Sequence, residues 1–428
     1  MKSTKSLLRV FLLTCCLLII FAGVFTATAA KDEDKPIIAD CVQLYSKESY
    51  EGEKQEFIVG EYHDVTFKSK SIQIPAEFEV RAYTEKNFKG HEYILQYGRE
   101  KFFSAHMGHG DFNFIIGWDY IPRIKSLKVR LIESEAVDIT NLDDAALNDL
   151  LIKFAPRIYM AKGDEYGAIS IDDAFENMER YKSSSGYYSL RLKDGITKDN
   201  PFEIKPFFYG DNDTATAYGF KVDKDGGYMD FSYFQLCSFD SGKYIKILRR
   251  NIGSHVCDWE HVTLRFKVFE ADGKRYMRPI KVAFNVHSSL VSYENWENLE
   301  KINGTHIQAY CAAGSHGIYA SEGEHHYVNF GAIQKLTDSC SKGTPIDLWQ
   351  DGRLETFDYT PAKDKETLPV CRALNGSEWA GCFVNVKDDD DGTSVRKWGE
   401  SPVVSGIHGN SPSGPQGKNE INSIYTFS

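Results

Sequence analysis

The run from Gly253 to Phe266, GSHVCDWEHVTLRF, changes character half-way along. Val262, Leu264 and Phe266 alternate with Thr263 and Arg265, whereas His255, Asp258, Glu260 and His261 crowd into the seven residues before them. Alternation of this kind predicts a half-buried β-strand. A strand beginning at Cys257 puts Asp258, Glu260, Val262, Leu264 and Phe266 on one face and Cys257, Trp259, His261, Thr263 and Arg265 on the other. Two carboxylates therefore continue an apolar face, which fits a strand that leaves a core and enters a polar mouth. Side chains two residues apart on one face lie about 7 Å from each other, so each carboxylate raises the pKa of the other unless a cation sits between them. His255 has the wrong parity, but Gly253 and Ser254 allow a turn that swings its ring to the carboxylate side. The competing reading is a buried salt-bridge network with Arg265 or Lys267.

Patterning divides the rest of the chain. Tyr45-Ser-Lys-Glu-Ser-Tyr50-Glu-Gly52 and Tyr83-Thr-Glu-Lys-Asn-Phe88-Lys-Gly90 repeat one spacing: aromatic, four residues, aromatic, one residue, glycine. Each copy is followed by a serine that opens an alternating run, Ser71-Ile-Gln-Ile and Ser126-Leu-Lys-Val. A folded-over hairpin stacks the two aromatics, and the glycine supplies a positive φ where a Cβ would clash. From Asp138 to Phe154 the period becomes helical: Thr140 or Asn141 caps, Leu142, Ala145, Ala146, Leu147, Leu150 and Leu151 form the stripe, and Pro156 ends it. The expected organisation is a small β domain at 41–133, a linker helix at 134–152 and a larger β-sandwich at 153–428, after an acidic linker at 31–40. The fold class is all-β with a few short helices, in keeping with frequent aromatic and β-branched residues.

The repeat resembles the Greek-key signature of βγ-crystallins. That likeness implies calcium held by paired acidic or Asn residues just before each serine, but the matching positions here are Thr66-Phe67 and Ile121-Pro122, so loss of calcium binding is expected. The Gly253–Phe266 run resembles a segment shared by the vacuolar protein sorting-associated protein 62 family. It is also similar to the heptapeptide of the necrosis- and ethylene-inducing peptide-like cytolysins, Gly-His-Arg-His-Asp-Trp-Glu, which holds a divalent cation used to engage sphingolipid head groups. This likeness implies His255, Asp258 and Glu260 as metal ligands, with Asp240 as a further acidic one, while Ser254, Val256 and Cys257 depart from the heptapeptide. The sorting-protein likeness extends over FAPRIYMAKGDEYGAISIDDAFENM, AFNVHSSLVSYENWENL, YCAAGSHGIYASEGEHHYV, RKWGE and SPSGPQGK.

Charge and composition then restrict the partners. A net charge of −11 argues against nucleic acid, since phosphate binding needs a positive surface, and against bare anionic lipid unless metal bridges it. Residues 1–30 read as a secretory leader: Lys2, Lys5 and Arg9, then apolar Val10 to Val24, then the small-residue site Ala27-Thr28-Ala29. The expectation is a secreted, extracellular protein. Cys41, Cys237, Cys257, Cys311, Cys340, Cys371 and Cys382 would remain after cleavage and mostly pair in an oxidising compartment, Cys237 with Cys257 as the expected bridge. Asn212, Asn303 and Asn375 begin glycosylation sequons.

Further polar residues could join the site. Ser315 and His316 precede Glu324, His325 and His326, and the adjacent pair must point to opposite faces of a strand. His287 ends the apolar run from Val282. The expected metal set is His255, Asp258, Glu260 and Asp240, with His261, Ser315, His316, Glu324 and His326 as ligand-binding residues. An oxygen-rich set with one imidazole suits magnesium, calcium or manganese better than zinc. Asp388 to Asp391 lacks alternating ligand spacing and reads as a solvated acidic loop. Two functions follow: a metal-dependent module that docks a glycan, a lipid head group or a membrane surface, with cytolytic action as one outcome, or a metal-assisted hydrolase with His287 or His316 as acid or base. A sorting or structural role is the third.

Overall fold

The computed structural model describes residues 41–47, 50–75, 78–95, 98–100, 124–131, 136–193, 205–246, 249–271, 273–287, 290–329, 334–364, 367–400, 407–408 and 411–423. The leader, the 31–40 linker and Ile121-Pro122 lie outside them.

In the small domain the two repeats exchange strands. One antiparallel sheet runs Lys54–Phe57, Val42–Tyr45, Ser71–Ile74, Gly98–Glu100, and the other Gly60–Tyr62, Ser126–Leu131, Phe78–Tyr83, Glu92–Leu95. The strand Gly60–Tyr62 of the first repeat thus pairs in the sheet of the second, and Gly98–Glu100 of the second pairs in the sheet of the first. The spaced aromatics meet edge to face, Tyr45 with Tyr50 at 6.0 Å and Tyr83 with Phe88 at 5.6 Å. Gly52 and Gly90 take φ of 82° and 80°, and a Cβ on either would come within 2.4 Å of a Ser46 or Thr84 hydroxyl oxygen. The serines close the hairpins. Ser71 Oγ donates to the Lys47 carbonyl and accepts from Tyr50 N, and Ser126 Oγ does the same with Glu85 and Phe88. Val42, Leu44, Ile72, Val80 and Leu127 fill the core between the sheets.

The helical period settles at Asp144–Phe154, capped by Asp143, whose side chain accepts from Ala146 N at 2.8 Å. Thr140 turns its hydroxyl to Asp138 instead, and Val137–Asp138 joins the edge of a large sheet beside Tyr276 and Met277. Leu147, Leu150, Leu151 and Phe154 enter the core of the larger domain, so this helix is a packed element of that domain.

That large sheet is ordered Leu290–Asn295, Lys274–His287, Arg250–Ala271, Tyr228–Asp240, Ala217–Lys224, Leu354–Thr360, Val370–Ala373, and both its faces are buried. On one face Phe231, Tyr233, Val262, Leu264 and Phe266 pack with the helix and with Ile158, Ile307, Ala309 and Ile346 of a smaller sheet. On the other, Trp259, Tyr218, Phe220 and Phe234 pack with Met178, Leu190 and Trp398 of a three-stranded sheet. Burying a Phe or Leu in such a core contributes about 1.5–3 kcal/mol, so the paired strands Tyr228–Asp240 and Arg250–Ala271 form a stiff base for whatever their ends carry. All seven cysteines from Cys41 onward are free thiols. The expected Cys237–Cys257 bridge is excluded by the register, which sets Cys237 against Asp258 and turns Cys257 into the opposite core.

Candidate functional site

The central strand is not regular. Cys257 has φ of 58°, in the left-handed region that side chains with a Cβ seldom adopt. Pairing with the neighbouring strand keeps its register across this point, Cys237 to Asp258 and Asp240 to His255. Side-chain parity nevertheless resets: Val256 and Cys257, though adjacent, both enter the Trp259 core. The reset brings His255 to the side of Asp258, so the turn expected at Gly253 and Ser254 is made at Cys257. A close neighbour holds it there. Gly399, at φ of 70°, abuts the Val256 backbone, and a Cβ on it would sit 2.1 Å from the Val256 carbonyl oxygen.

Asp240, His255 and Asp258 converge, with one ligand atom from each lying within 4.8 Å of the others. His255 Nδ1 donates to the Cys257 carbonyl at 2.6 Å. In the neutral ring this fixes the proton on Nδ1 and leaves the Nε2 lone pair facing Asp240 Oδ2 at 3.5 Å and Asp258 Oδ1 at 3.9 Å. Three electron-rich atoms so placed repel one another unless a proton or a cation lies among them. Burial and the charge of Asp258 push Asp240 up to about 6. Asp258 is also raised by burial, but the His316 hydrogen bond and the charges of His255, His316 and Lys418 outweigh this and hold it below the usual carboxylate range.

Glu260 does not join the converging atoms. It lies on the next rung of the same face, accepts from Asn285 Nδ2 at 2.6 Å, and is pushed well above the usual range by burial and by Asp258.

A tight loop supports the cluster from below. Gly314 N donates to Asp164 Oδ2, and a Cβ on Gly317 would meet the Val286 carbonyl oxygen at 2.1 Å. Between these glycines His316, at φ of 54° and wholly buried, sets Nδ1 3.4 Å from Asp258 Oδ2 and Nε2 3.1 Å from the Tyr166 carbonyl. Burial opposes a charge on this ring. Cys237, the Asp258 hydrogen bond and the Asp164 charge outweigh burial and raise it well above the ordinary histidine value, which favours the charged ring beside Asp258. Ser315 turns the other way and donates to Asp338 Oδ1 at 2.6 Å. Asp338 is fully buried, with Lys243 Nζ at 2.7 Å, His287 Nε2 at 2.8 Å and the Tyr319 hydroxyl at 2.8 Å. Burial would raise its carboxyl, but His287 and Lys243 hold it far below the usual range.

The other expected ligand-binding residues lie elsewhere. His261 is on the opposite face, stacked on Phe234 at 4.4 Å and paired with Glu420 at 3.3 Å. Glu324 is exposed on the strand Gly323–Asn329, which forms a hairpin with Lys335–Cys340. On the same hairpin His326 Nδ1 meets Thr337 Oγ1 while His325 stacks on Tyr319, so neither histidine of the pair reaches His316. Arg265 grips Asp230 through two nitrogens and Lys267 donates to the Gly226 carbonyl, rather than pairing with Asp258 or Glu260. Asp389 pairs with Arg180, and Asp388 and Asp390 share Lys182. Asn375 is exposed, with Oδ1 accepting from Thr356 N and Nδ2 donating to the Leu354 carbonyl. Asp164, Asn285, Asp338 and Lys243 escaped sequence reasoning. The one signal for Asp164 was its place in the polar turn Gly163-Asp164-Glu165-Tyr166.

Residues 159–331 match the model of the vacuolar protein sorting-associated protein 62 family. Vacuolar protein sorting-associated protein 62 of Saccharomyces cerevisiae is 30% identical over 240 residues, covering 48% of this chain and 48% of the relative. The chain thus spans about half the length of the curated relative it matches. Among solved structures, the N-terminal domain of protein S aligns at 11% identity over 22% of this chain and 97% of its own, with a TM-score of 0.17. A βγ-crystallin domain from Flavobacterium johnsoniae aligns at 15% over 22% and 98%, with a TM-score of 0.18. The expected extracellular destination is overturned by the yeast relative, whose name ties it to the vacuole, inside the cell. A leader-like segment specifies entry into an export route at most and carries no final address. Residues 159–331 resemble a sorting-associated family, and that span contains Asp164, Asp240, His255, Asp258, His287 and His316.

Proposed function

We propose that Asp240, His255 and Asp258 hold a divalent cation that docks an oxygen-rich ligand, a glycan or a lipid head group, in a protein with a vacuolar-sorting-related role. The observation that carries this reading is the orientation of His255: its Nδ1 proton is committed to the Cys257 carbonyl, so Nε2 presents a lone pair to two carboxylates. Metal-bound histidines are oriented in the same way, by a hydrogen bond from the second ring nitrogen. Two carboxylates and one imidazole leave positions open on a six-coordinate magnesium, manganese or calcium ion, and those positions suit hydroxyl or phosphate oxygens. A bridging cation also lets a chain of net charge −11 approach an anionic head group. Support for the sorting role comes from the family likeness, whose matched span contains the whole cluster.

The rival hydrolase loses one of its two candidate acid–base groups, since His316 is fully buried with both ring nitrogens engaged within the protein and is out of a substrate's reach. Calorimetric titration of the purified full chain with manganese, magnesium and calcium tests the site. One ion bound per chain by the wild type is expected. Absence of binding by all three at millimolar concentration overturns the reading.

A further inference from the structure

The Asp240–His255–Asp258 cluster stands at the foot of a hairpin. Asp240 faces His255 across the two central strands, and past that pair the chain continues as Lys243–Ile245 against residues 250–252. Residues 241–257 contain no Asp or Glu, while Lys243, Lys246, Arg249 and Arg250 bring four positive charges. The whole chain carries −11, so this segment reverses the sign of its surroundings. Charges kept for solubility are interspersed in sign, whereas a run of one sign beside a binding cluster points to a ligand of the opposite charge.

The hairpin is anchored by other groups. Ile245 is buried, Lys243 Nζ lies 2.7 Å from Asp338 Oδ1, and Gln334 clamps the backbone, accepting from Lys246 N at 3.0 Å and donating to the Tyr244 carbonyl at 2.8 Å. Asn251 Nδ2 donates to the Ser241 carbonyl. Tyr244, Lys246 and Arg249 face solvent instead: Tyr244 is 52% exposed, both cations are exposed, and among the described residues no carboxylate pairs with either. Lys335, beside Gln334, adds a further exposed charge. We propose that this hairpin seats on an anionic lipid surface, with Lys246 and Arg249 against head-group phosphates and Tyr244 at head-group level, and so brings a phosphate oxygen to the cation cluster. This rests on the cation reading above and names its ligand. A strand rises about 3.3 Å per residue, so these side chains spread over roughly 20 Å from Asp240. Charges spread over a distance of that order match a surface of many head groups better than one small anion. The amphipathic ring of a tyrosine suits the boundary between head groups and water, and each basic residue adds an attraction that fades within a Debye length.

The test is flotation of the full chain with vesicles of phosphatidylcholine alone, or of phosphatidylcholine with about one third phosphatidic acid, in manganese and in chelator. The wild type should float with the acidic vesicles in manganese and not with phosphatidylcholine alone. A Lys246→Gln, Arg249→Gln double variant should lose at least about tenfold in vesicle partitioning, while its calorimetric manganese affinity stays within about threefold of the wild type. Flotation of the double variant equal to the wild type, or flotation of the wild type equal on both kinds of vesicle, overturns the proposal. Manganese binding without flotation on acidic vesicles overturns the docking alone, and binding of inorganic phosphate by that manganese-loaded chain would make the ligand a soluble phosphate. If calorimetry detects no cation, yet the wild type floats with acidic vesicles and the double variant does not, the docking hairpin stands and the cation reading falls.

Discussion

His255 Nδ1 donates to the carbonyl of Cys257, two residues ahead, at 2.6 Å. The bond exists because Cys257 takes the left-handed conformation, at φ of 58°. One strained residue therefore turns the imidazole to the carboxylate face and fixes which nitrogen carries its proton. Strain of this kind costs on the order of 1–3 kcal/mol and persists where the surroundings over-determine it. Here the flanking Val256 and Trp259 are locked in a packed core and Gly399 covers the backbone.

Asp258→Asn and Glu260→Gln should therefore behave differently. Asp258 offers an oxygen to the converging set, and replacing it with an amide removes a charge that a hard cation needs to offset its dehydration. Burial and the charge of Asp258 raise the Glu260 carboxyl, and its hydrogen-bond partner is Asn285. Isothermal titration with manganese should show an affinity loss of at least about 30-fold for Asp258→Asn, a change of about 2 kcal/mol, and less than about threefold for Glu260→Gln. Equal losses would place Glu260 in the coordination set.

The division in these expectations follows what a sequence can carry. Alternation located the strand and gave the common face of Asp258, Val262, Leu264 and Phe266, because period-two patterning is set by burial within one segment. The aromatic-glycine repeat was legible for the same reason, since the contacts of Gly52 with Ser46 and of Gly90 with Thr84 are local. What could not be read was the reset at Cys257, which depends on Gly399 arriving from far along the chain. Asp164 and Asp338 were likewise invisible as site residues. Each is an ordinary acidic residue in a turn or strand until the 314–317 loop brings His316 and Ser315 to them. His325 and His326 misled because strand-end histidines attract attention, while their hairpin faces Thr337 and Tyr319.

Replacing His316 should destabilise the apo protein more than the metal-loaded one. The ring is buried between Asp258, Asp164 and the Tyr166 carbonyl, surroundings that raise its pKa and favour the charged form. His316→Gln keeps some hydrogen-bonding capacity but leaves two buried carboxylates without their compensating charge, a loss of roughly 3–5 kcal/mol. A divalent ion at Asp258 restores positive charge and binds only the folded state, so saturating manganese should recover a large part of that loss. Urea unfolding at pH 7 with and without manganese measures both quantities. A variant as stable as the wild type without metal would show that His316 carries no charge.

On the other side of the sheet, Glu420 predicts a specific acid response. Burial would raise its carboxyl, but His261 and Lys418 bring it down to about 2 from an ordinary 4.5. A carboxylate lowered in the folded state contributes stability that is fully present above 4.5 and lost as pH falls towards 2. The size is about 3 kcal/mol at most. Denaturation of wild type and Glu420→Gln between pH 6 and pH 2.5 should show a gap that narrows as pH falls. A gap independent of pH would mean that the side chain matters for packing alone.

Gly399→Ala tests whether the kink at Cys257 depends on its neighbour. Gly399 has φ of 70°, and a Cβ there would lie 2.1 Å from the Val256 carbonyl oxygen and 2.6 Å from the Val256 carbonyl carbon. Both obstacles are backbone, so no rotamer change relieves them, and either the strand Lys397–Glu400 or the central strand must move. Trp398 packs on Trp259 with ring centres 5.1 Å apart, which resists movement of the first. Displacement of Val256 and Cys257 would carry the His255 acceptor away and loosen the ring. The expected outcome is a stability loss of roughly 2–4 kcal/mol together with weaker manganese binding. Gly376→Ala supplies the control, because Gly376 has φ of 83° with nothing within 4 Å of its added Cβ, so it reports the conformational cost alone. That control should lose about 1 kcal/mol and bind manganese as the wild type does. If Gly399→Ala matches the control in both respects, the contact with Val256 does not hold the kink.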